Sequence, residues 1–161
     1  MNNTTVIVVD KGWSKIQRKI KAVGNVYVGL LGAKAAKIYP DGHGYTTAEV
    51  GAVHEYGSEE RNIPQRSFLR ATVLKFKNKY AKLLAQTAAE KVFQGKPDMA
   101  MLKVGLIVAG DVRQRIADGI PPALAEKTIA ARKRRFGKAS STPLIATGQL
   151  RSSIDAEVRG K

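Results

Sequence analysis

Residues 46–70 hold the arrangement that most restricts how this chain folds: a short helix, a tight polar corner, and a proline elbow that aims a longer helix. Thr46 and Glu49 have the spacing of a capping box, in which each side chain satisfies a free backbone donor at a helix start. Val50, Val53 and His54 then share one face, and Gly57 supplies the left-handed residue on which such a helix ends. Residues 58–61 are a polar turn. Pro64 holds Ile63 extended, because the proline ring clashes with a helical predecessor. A long helical pattern begins at Ser67. Ile63 and Phe68 are the apolar residues of the corner and are expected in the core. Gly57, Ile63, Pro64, Arg66 and Phe68 thus form a structural elbow, with Arg66 placed to pair with Glu55 or Glu59.

Three stretches follow one another in a recognisable order. Residues 50–57 end in Glu55-Tyr56-Gly57. Residues 63–70 run Ile63-Pro64-Gln65-Arg66-Ser67-Phe68-Leu69-Arg70. Near the C-terminus, Pro143-Leu144 is followed by Thr147-Gly148-Gln149-Leu150. This order and spacing resembles the neck and tail-completion proteins of tailed bacteriophages, a family of minor tail component, head–tail joining and virion morphogenesis proteins. Its members show a helix ending in glutamate, an aromatic and glycine, then an isoleucine–proline elbow, then a late proline–leucine with threonine–glycine. Ser67 stands where that family usually has proline, and a serine there caps the helix instead.

The resemblance implies a structural virion protein of the head–tail junction that forms a ring between connector and tail. Closed rings arise when one surface of a subunit meets a different surface of its copy. A hexamer is the expected ring, with a dodecamer as the alternative. The implied partners are copies of itself, the phage connector or adaptor, and the tail terminator or tail tube proteins. Non-specific contact with DNA in the channel belongs to the same reading. The implied location is the virion, after assembly in the bacterial host cytoplasm, with no membrane involved.

The 161 residues suit a single domain, and an apolar fraction of 43% is enough to build a core rather than a disordered chain. With no cysteine there is no disulfide framework and no thiolate chemistry. No apolar run approaches the length of a membrane span, and residues 1–10 lack the pattern of a signal peptide. The net charge of +15 is the outlying property. It is unevenly spread: residues 67–96 and 121–140 are basic, whereas residues 47–66 carry Glu49, Glu55, Glu59 and Glu60 against Arg61 and Arg66. Such polarity suggests charged partners, the plain alternative being a solvated surface.

Taken in order, residues 6–9 read as a strand and residues 12–23 as an amphipathic helix with Trp13, Ile16 and Ile20 on one face. Residues 25–31 read as a second strand, apolar on both faces. Residues 32–45 form a long exposed loop around Pro40 and Gly44. From Ser67 to Gln94 a seam of Leu69, Val73, Phe76, Tyr80 and Leu83 predicts one long helix. A second runs from Asp98, a candidate cap, to Asp118, and Gly119 with Pro121-Pro122 stops it. Its broad apolar face predicts a central position, and the short joint predicts an antiparallel pair. Residues 123–141 keep no core period and read as an exposed basic loop. Thr147 caps a short helix, and residues 154–158 alternate as a last strand. The fold class is therefore α+β: a small mixed or antiparallel sheet packed on two long antiparallel helices, with long loops.

No catalytic pattern emerges. His43 and His54 lack metal-ligand spacing, so His54 reads as a satisfied helix histidine. No serine elbow or phosphate loop is present, and Asp111 and Asp118 lack an acid–base partner. The reading is of a non-enzyme without cofactor or metal. The candidate binding residues are the cations Arg132, Lys133, Arg134 and Arg135 beside Phe136, and the acids Glu55, Glu59 and Glu60. Four adjacent cations next to an aromatic suit phosphate contact and base stacking, so the alternative function is a small basic nucleic-acid-binding protein. The same cations fit an acidic rim of a neighbouring ring, or simple solvation.

Overall fold

The computed structural model describes residues 12, 24–40, 43–94, 97–137 and 140–160. The strand expected at residues 6–9, and all but Gly12 of the helix expected at 12–23, lie outside the described residues. The elements are β1 (Asn25–Leu30), α1 (Gly32–Ala36), α2 (Thr47–Tyr56), α3 (Arg70–Lys75), α4 (Lys77–Gln94), α5 (Pro97–Asp118), α6 (Glu126–Phe136), α7 (Gln149–Ser152) and β2 (Ile154–Arg159). The chain folds as a small α+β protein: an antiparallel pair of strands backed by helices.

α5 is the axis of the fold. Its sequence gives it a broad buried face, Ala100, Val104, Val108, Ala109, Val112 and Ile116, while Lys103, Leu106, Gly110, Gln114 and Asp118 keep one stripe in water. It touches β1, β2, α3, α4 and α7. Val112 and Ile116 are fully buried, in a cluster with Phe68, Leu144, Leu150 and Ile154. One turn pair earlier, Val104 and Val108 pack with Tyr80 of α4 in a second cluster. Asp111 accepts from Lys79 Nζ at 2.7 Å and from the Tyr80 hydroxyl at 2.8 Å. These pairs lie at similar distances either side of the joint, as antiparallel helices require. Burial and the Asp111 carboxylate both push the Tyr80 phenol up.

The strands pair as Val26↔Val158 and Val28↔Ala156. Gly105 lets the sheet sit directly on α5: a Cβ there would lie 2.5 Å from Val26 Cγ2 and 2.9 Å from Ala156 Cβ. The other face of β1 is covered only at its end, where Gly29 is buried against Leu69. Tyr27, on that same face, is 42% exposed under the Arg159 guanidinium, so the expectation of burial on both faces holds at Gly29 and fails at Tyr27. Arg113 reaches from α5 to the Ile154 carbonyl and ties the start of β2 to the axis.

Three expected loops and helices differ. The long helix expected from Ser67 to Gln94 is two helices, because the backbone leaves helical geometry at Phe76 (φ −107°, ψ 15°). Phe76 turns its ring edge-on to Tyr80 and receives the Lys75 and Lys79 ammonium groups on its face. The break changes the register, so Phe68 and Thr72 are buried in α3's stretch while Val73 and Leu74 are 40% and 62% exposed. The segment 32–45 is not wholly loop: it contains α1, a bridge from Ile38 to Thr46, and the buried Tyr39. The segment 123–141 is built on α6, which ends at Gly137 in left-handed geometry (φ +67°). Asp98 lies inside the first turn of α5 and accepts from the Gly24 amide at 3.2 Å, across the fold.

Candidate functional site

The elbow is held from within by one carboxylate. α2 starts at the expected capping box: Glu49 N donates to Thr46 Oγ1 at 3.2 Å, and Thr46 N donates to Glu49 Oε2 at 2.7 Å. Its buried face is Thr47, Gly51 and Glu55, not Val50, Val53 and His54. Thr47 donates to the Lys37 carbonyl and accepts from Gln149 of α7, at 2.8 and 2.7 Å. Gly51 gives room to Leu30 and Leu150. Glu55, 6% exposed, reaches across to the start of α3. Its carboxylate accepts from Ser67 Oγ at 2.7 Å and from the backbone amides of Phe68, Leu69 and Arg70 at 2.9, 2.9 and 3.1 Å. These amides are the unpaired donors of a helix start, where a negative charge also meets the positive end of the dipole. Ser67 Oγ accepts from Ala71 N at 3.1 Å, so the serine satisfies a first-turn amide of α3, although the N-cap position is Leu69, which makes no side-chain cap bond.

Between them the chain turns back sharply. Gly57 has φ +79°, and a Cβ there would come within 3.0 Å of the Gln65 amide nitrogen. Ser58 and Ile63 exchange two backbone hydrogen bonds of 2.8 Å, with Asn62 left-handed at φ 52°. Phe68 is buried as expected, whereas Ile63 is only half-buried and Pro64 is exposed. Arg66, 5% exposed, pairs with neither Glu55 nor Glu59. Glu55 is filled by the α3 donors and Glu59 lies out on the corner. Arg66 instead donates to the Pro122 carbonyl through Nε at 3.0 Å and through a terminal nitrogen at 2.8 Å. It thereby pins the elbow to the chain leaving α5, beside the cis peptide bond between Pro121 and Pro122.

The structure divides the expected binding residues. Glu55 is an internal cap, so its assignment to a contact surface is corrected. Arg132 is corrected too: it turns inward and donates to the carbonyls of Ser140, Thr142 and Ile145 at 3.1, 2.9 and 3.0 Å. Burial pulls the pKa of Arg66 down, and is also the main cause that lowers Arg132. Glu59, Glu60, Lys133, Arg134 and Arg135 are exposed. Arg135 lies over the Phe136 ring, 5.9 Å from its centre. An open cleft of about 870 Å³ lies between α2 and the corner. Val50, Val53 and Ile63 line it, with Tyr45, Glu60 and Arg61 among its polar lining. Arg61 stacks on Tyr45 at 4.9 Å.

His54 departs from its expected role. Its Nδ1 is buried without a hydrogen-bond partner among the described residues. Burial, with the charges of Arg66 and Arg132 adding to it, pushes the imidazole down to about 4. Among the described residues no group of three His, Cys, Asp or Glu is placed to hold a metal ion, and no helix is long and apolar enough to cross a membrane.

The sequence stretches that carry the family resemblance converge. Phe68 of the elbow and Leu144, Leu150 and Ile154 of the late segment share one core with Tyr39. Leu144 adopts φ +64°, an unusual backbone for leucine, with its side chain buried in that core. Tyr39, Thr47, Gly51, Gly105 and Gln149 escaped the sequence reading. The spacing of Thr47, Gly51 and Glu55 by fours was visible, but it lacks apolar residues and so gives no hydrophobic period. No protein-family model, curated protein or solved structure matches the chain.

Proposed function

We propose that this protein is a structural component of the tailed-phage head–tail junction, a neck or tail-completion protein that assembles as a ring between connector and tail and acts without catalysis. The observation that carries the reading is the convergence just described. Residues 50–57, 63–70 and 142–154, which resemble the family in order and spacing, are not scattered surface matches. They pack as one unit around Phe68, Leu144 and Leu150. A resemblance in residues that jointly build the same core supports a shared fold more strongly than three separate short motifs do. The step from fold to role is by analogy. The exposed acids and cations on separate elements are what a heterologous contact between copies would use.

The test is the oligomeric state of the purified chain by native mass spectrometry and negative-stain imaging. Closed particles of six subunits, or twelve, are expected. The second reading, a nucleic-acid-binding protein, is favoured by one observation: Lys133, Arg134 and Arg135 are exposed in succession on α6 with an aromatic beside them. It requires a monomer or dimer that binds DNA of any sequence with affinity falling steeply as salt rises. That result would displace the ring.

A further inference from the structure

Almost every described carboxylate of this basic chain has work inside the subunit. Glu55 caps α3, Asp111 holds Lys79 and Tyr80, Asp155 holds Lys34, and Glu157 holds Arg159. Asp118 accepts from Gln114, Asp98 from the Gly24 amide, and Glu49 completes the capping box. Glu126 is exposed and among the described residues forms no ion pair, but it sits in the first turn of α6, where the helix dipole favours an acid. Glu59 and Glu60 differ. They stand exposed on the corner, and among the described residues neither forms an ion pair or a side-chain hydrogen bond. In a chain of net charge +15, two adjacent unpaired acids on a turn closed by the Ser58–Ile63 backbone bonds, with no helix end to serve, are the exception that needs a cause.

A complementary surface exists on the same chain. α6 presents Lys133, Arg134 and Arg135 to solvent, and among the described residues none of them forms an ion pair. They are held in place. Arg132 anchors the helix to three backbone carbonyls, and Gly137 ends it. A cation on a fixed helical turn loses less conformational freedom on binding than one on a floppy loop. Beside the acids, the cleft lined by Val50, Val53 and Ile63 offers apolar surface for the aliphatic stems of arginine side chains.

We infer that the occupant of the acidic corner and its cleft is the α6 helix of a second copy of this chain, with Arg134 and Arg135 meeting Glu59 and Glu60. The inference rests on the ring reading and adds its contact. In the ring, each copy offers its α6 to one neighbour and its corner to the other; a reciprocal exchange of the two patches between only two copies would instead close a two-fold dimer, which the measured subunit number distinguishes. The charges set encounter and register, and the cleft excludes water from their stems.

A charge swap on the full chain tests it, read by analytical ultracentrifugation with melting curves confirming that each variant is folded. Glu59→Lys with Glu60→Lys, and separately Lys133→Glu with Arg134→Glu and Arg135→Glu, are each expected to weaken association about tenfold or more per contact, since several exposed pairs turn from attraction to repulsion. The chain carrying all five changes has both patches reversed, and is expected to regain most of the wild-type association. Neutral replacements, Glu59→Gln with Glu60→Gln, should give a smaller loss in the same direction. A five-fold variant as weak as its parents, or reversed glutamates that assemble like wild type, would overturn the contact and leave the ring to another surface. So would an α6 reversal that abolishes DNA retention while leaving assembly intact. A wild-type chain that stays monomeric at every concentration overturns the ring and the contact together.

Discussion

Replacing Glu55 by glutamine tests the central claim about the elbow, because it keeps the shape and removes the charge. In the wild type one carboxylate accepts three backbone amides and the Ser67 hydroxyl. Glutamine keeps one acceptor oxygen and turns an NH2 toward donors that need an acceptor. At least one buried amide then loses its partner, and the remaining bonds lose the assistance of charge. Hydrogen bonds to an ionised group contribute about 1.5–3 kcal/mol each, and an unpaired buried donor costs about 1–3 kcal/mol. No cavity is created, so no packing loss is added. The expected destabilisation is about 3–5 kcal/mol, a downward shift of the melting temperature of about 6–20 °C for a chain of this size. Urea unfolding followed by circular dichroism gives the free energy, and Glu59→Gln, on the exposed corner, serves as the control with an expected change within about 0.5 kcal/mol. If Glu55→Gln unfolds within that same small margin of wild type, the carboxylate is not what joins α2 to α3 and the account of the elbow is wrong.

The His54 imidazole titrates near 4 in the folded state against 6.5 for an ordinary histidine, so the unfolded chain binds the proton first as acid is added. Its contribution, up to about 3 kcal/mol, is present above pH 6.5 and lost between 6.5 and 4. Stability measured across that window should fall less for His54→Leu than for wild type, and parallel curves would refute the assignment. Phe68→Ala empties the shared core and should cost about 3–5 kcal/mol in urea unfolding; an unchanged transition would place Phe68 outside the core. Gly105→Ala puts a methyl group where Val26 and Ala156 already sit, so it should destabilise by about 1–3 kcal/mol despite alanine's better helix propensity. A more stable variant in the same unfolding experiment would show that the sheet yields without cost.

Features governed by near neighbours were legible in the sequence. Thr46 and Glu49 close their capping box, Gly57 ends α2, and the apolar face of α5 makes it central, because each rule acts within a turn or two of chain. The α+β class followed from the same local signals. What escaped depends on distant segments. A glutamate in the last turn of a helix reads as surface, and Glu55 becomes a cap only because residues 67–70 return to it. Four consecutive cations read as one solvated run, yet a helix turns one of them inward, so Arg132 separates from Lys133, Arg134 and Arg135. The seam through Val73 assumed an unbroken helix, and the departure at Phe76 moved the buried position to Thr72. At the candidate surface, exposure of Glu59 and Glu60 was legible from the turn they occupy, whereas the helical form of α6 and its anchor at Arg132 were not.

Arg66 and Arg132 donate to backbone carbonyls, and no ion pair of theirs is found among the described residues. A carbonyl carries no net charge and does not titrate. Dissolved ions screen attraction between full charges at the surface far more than these short, sheltered dipolar contacts. These two internal anchors and the charges a copy shows its surroundings therefore answer to different conditions. The proposed assembly should come apart in concentrated salt into intact subunits, and form again when the salt is removed at the same protein concentration, without any chain having to refold.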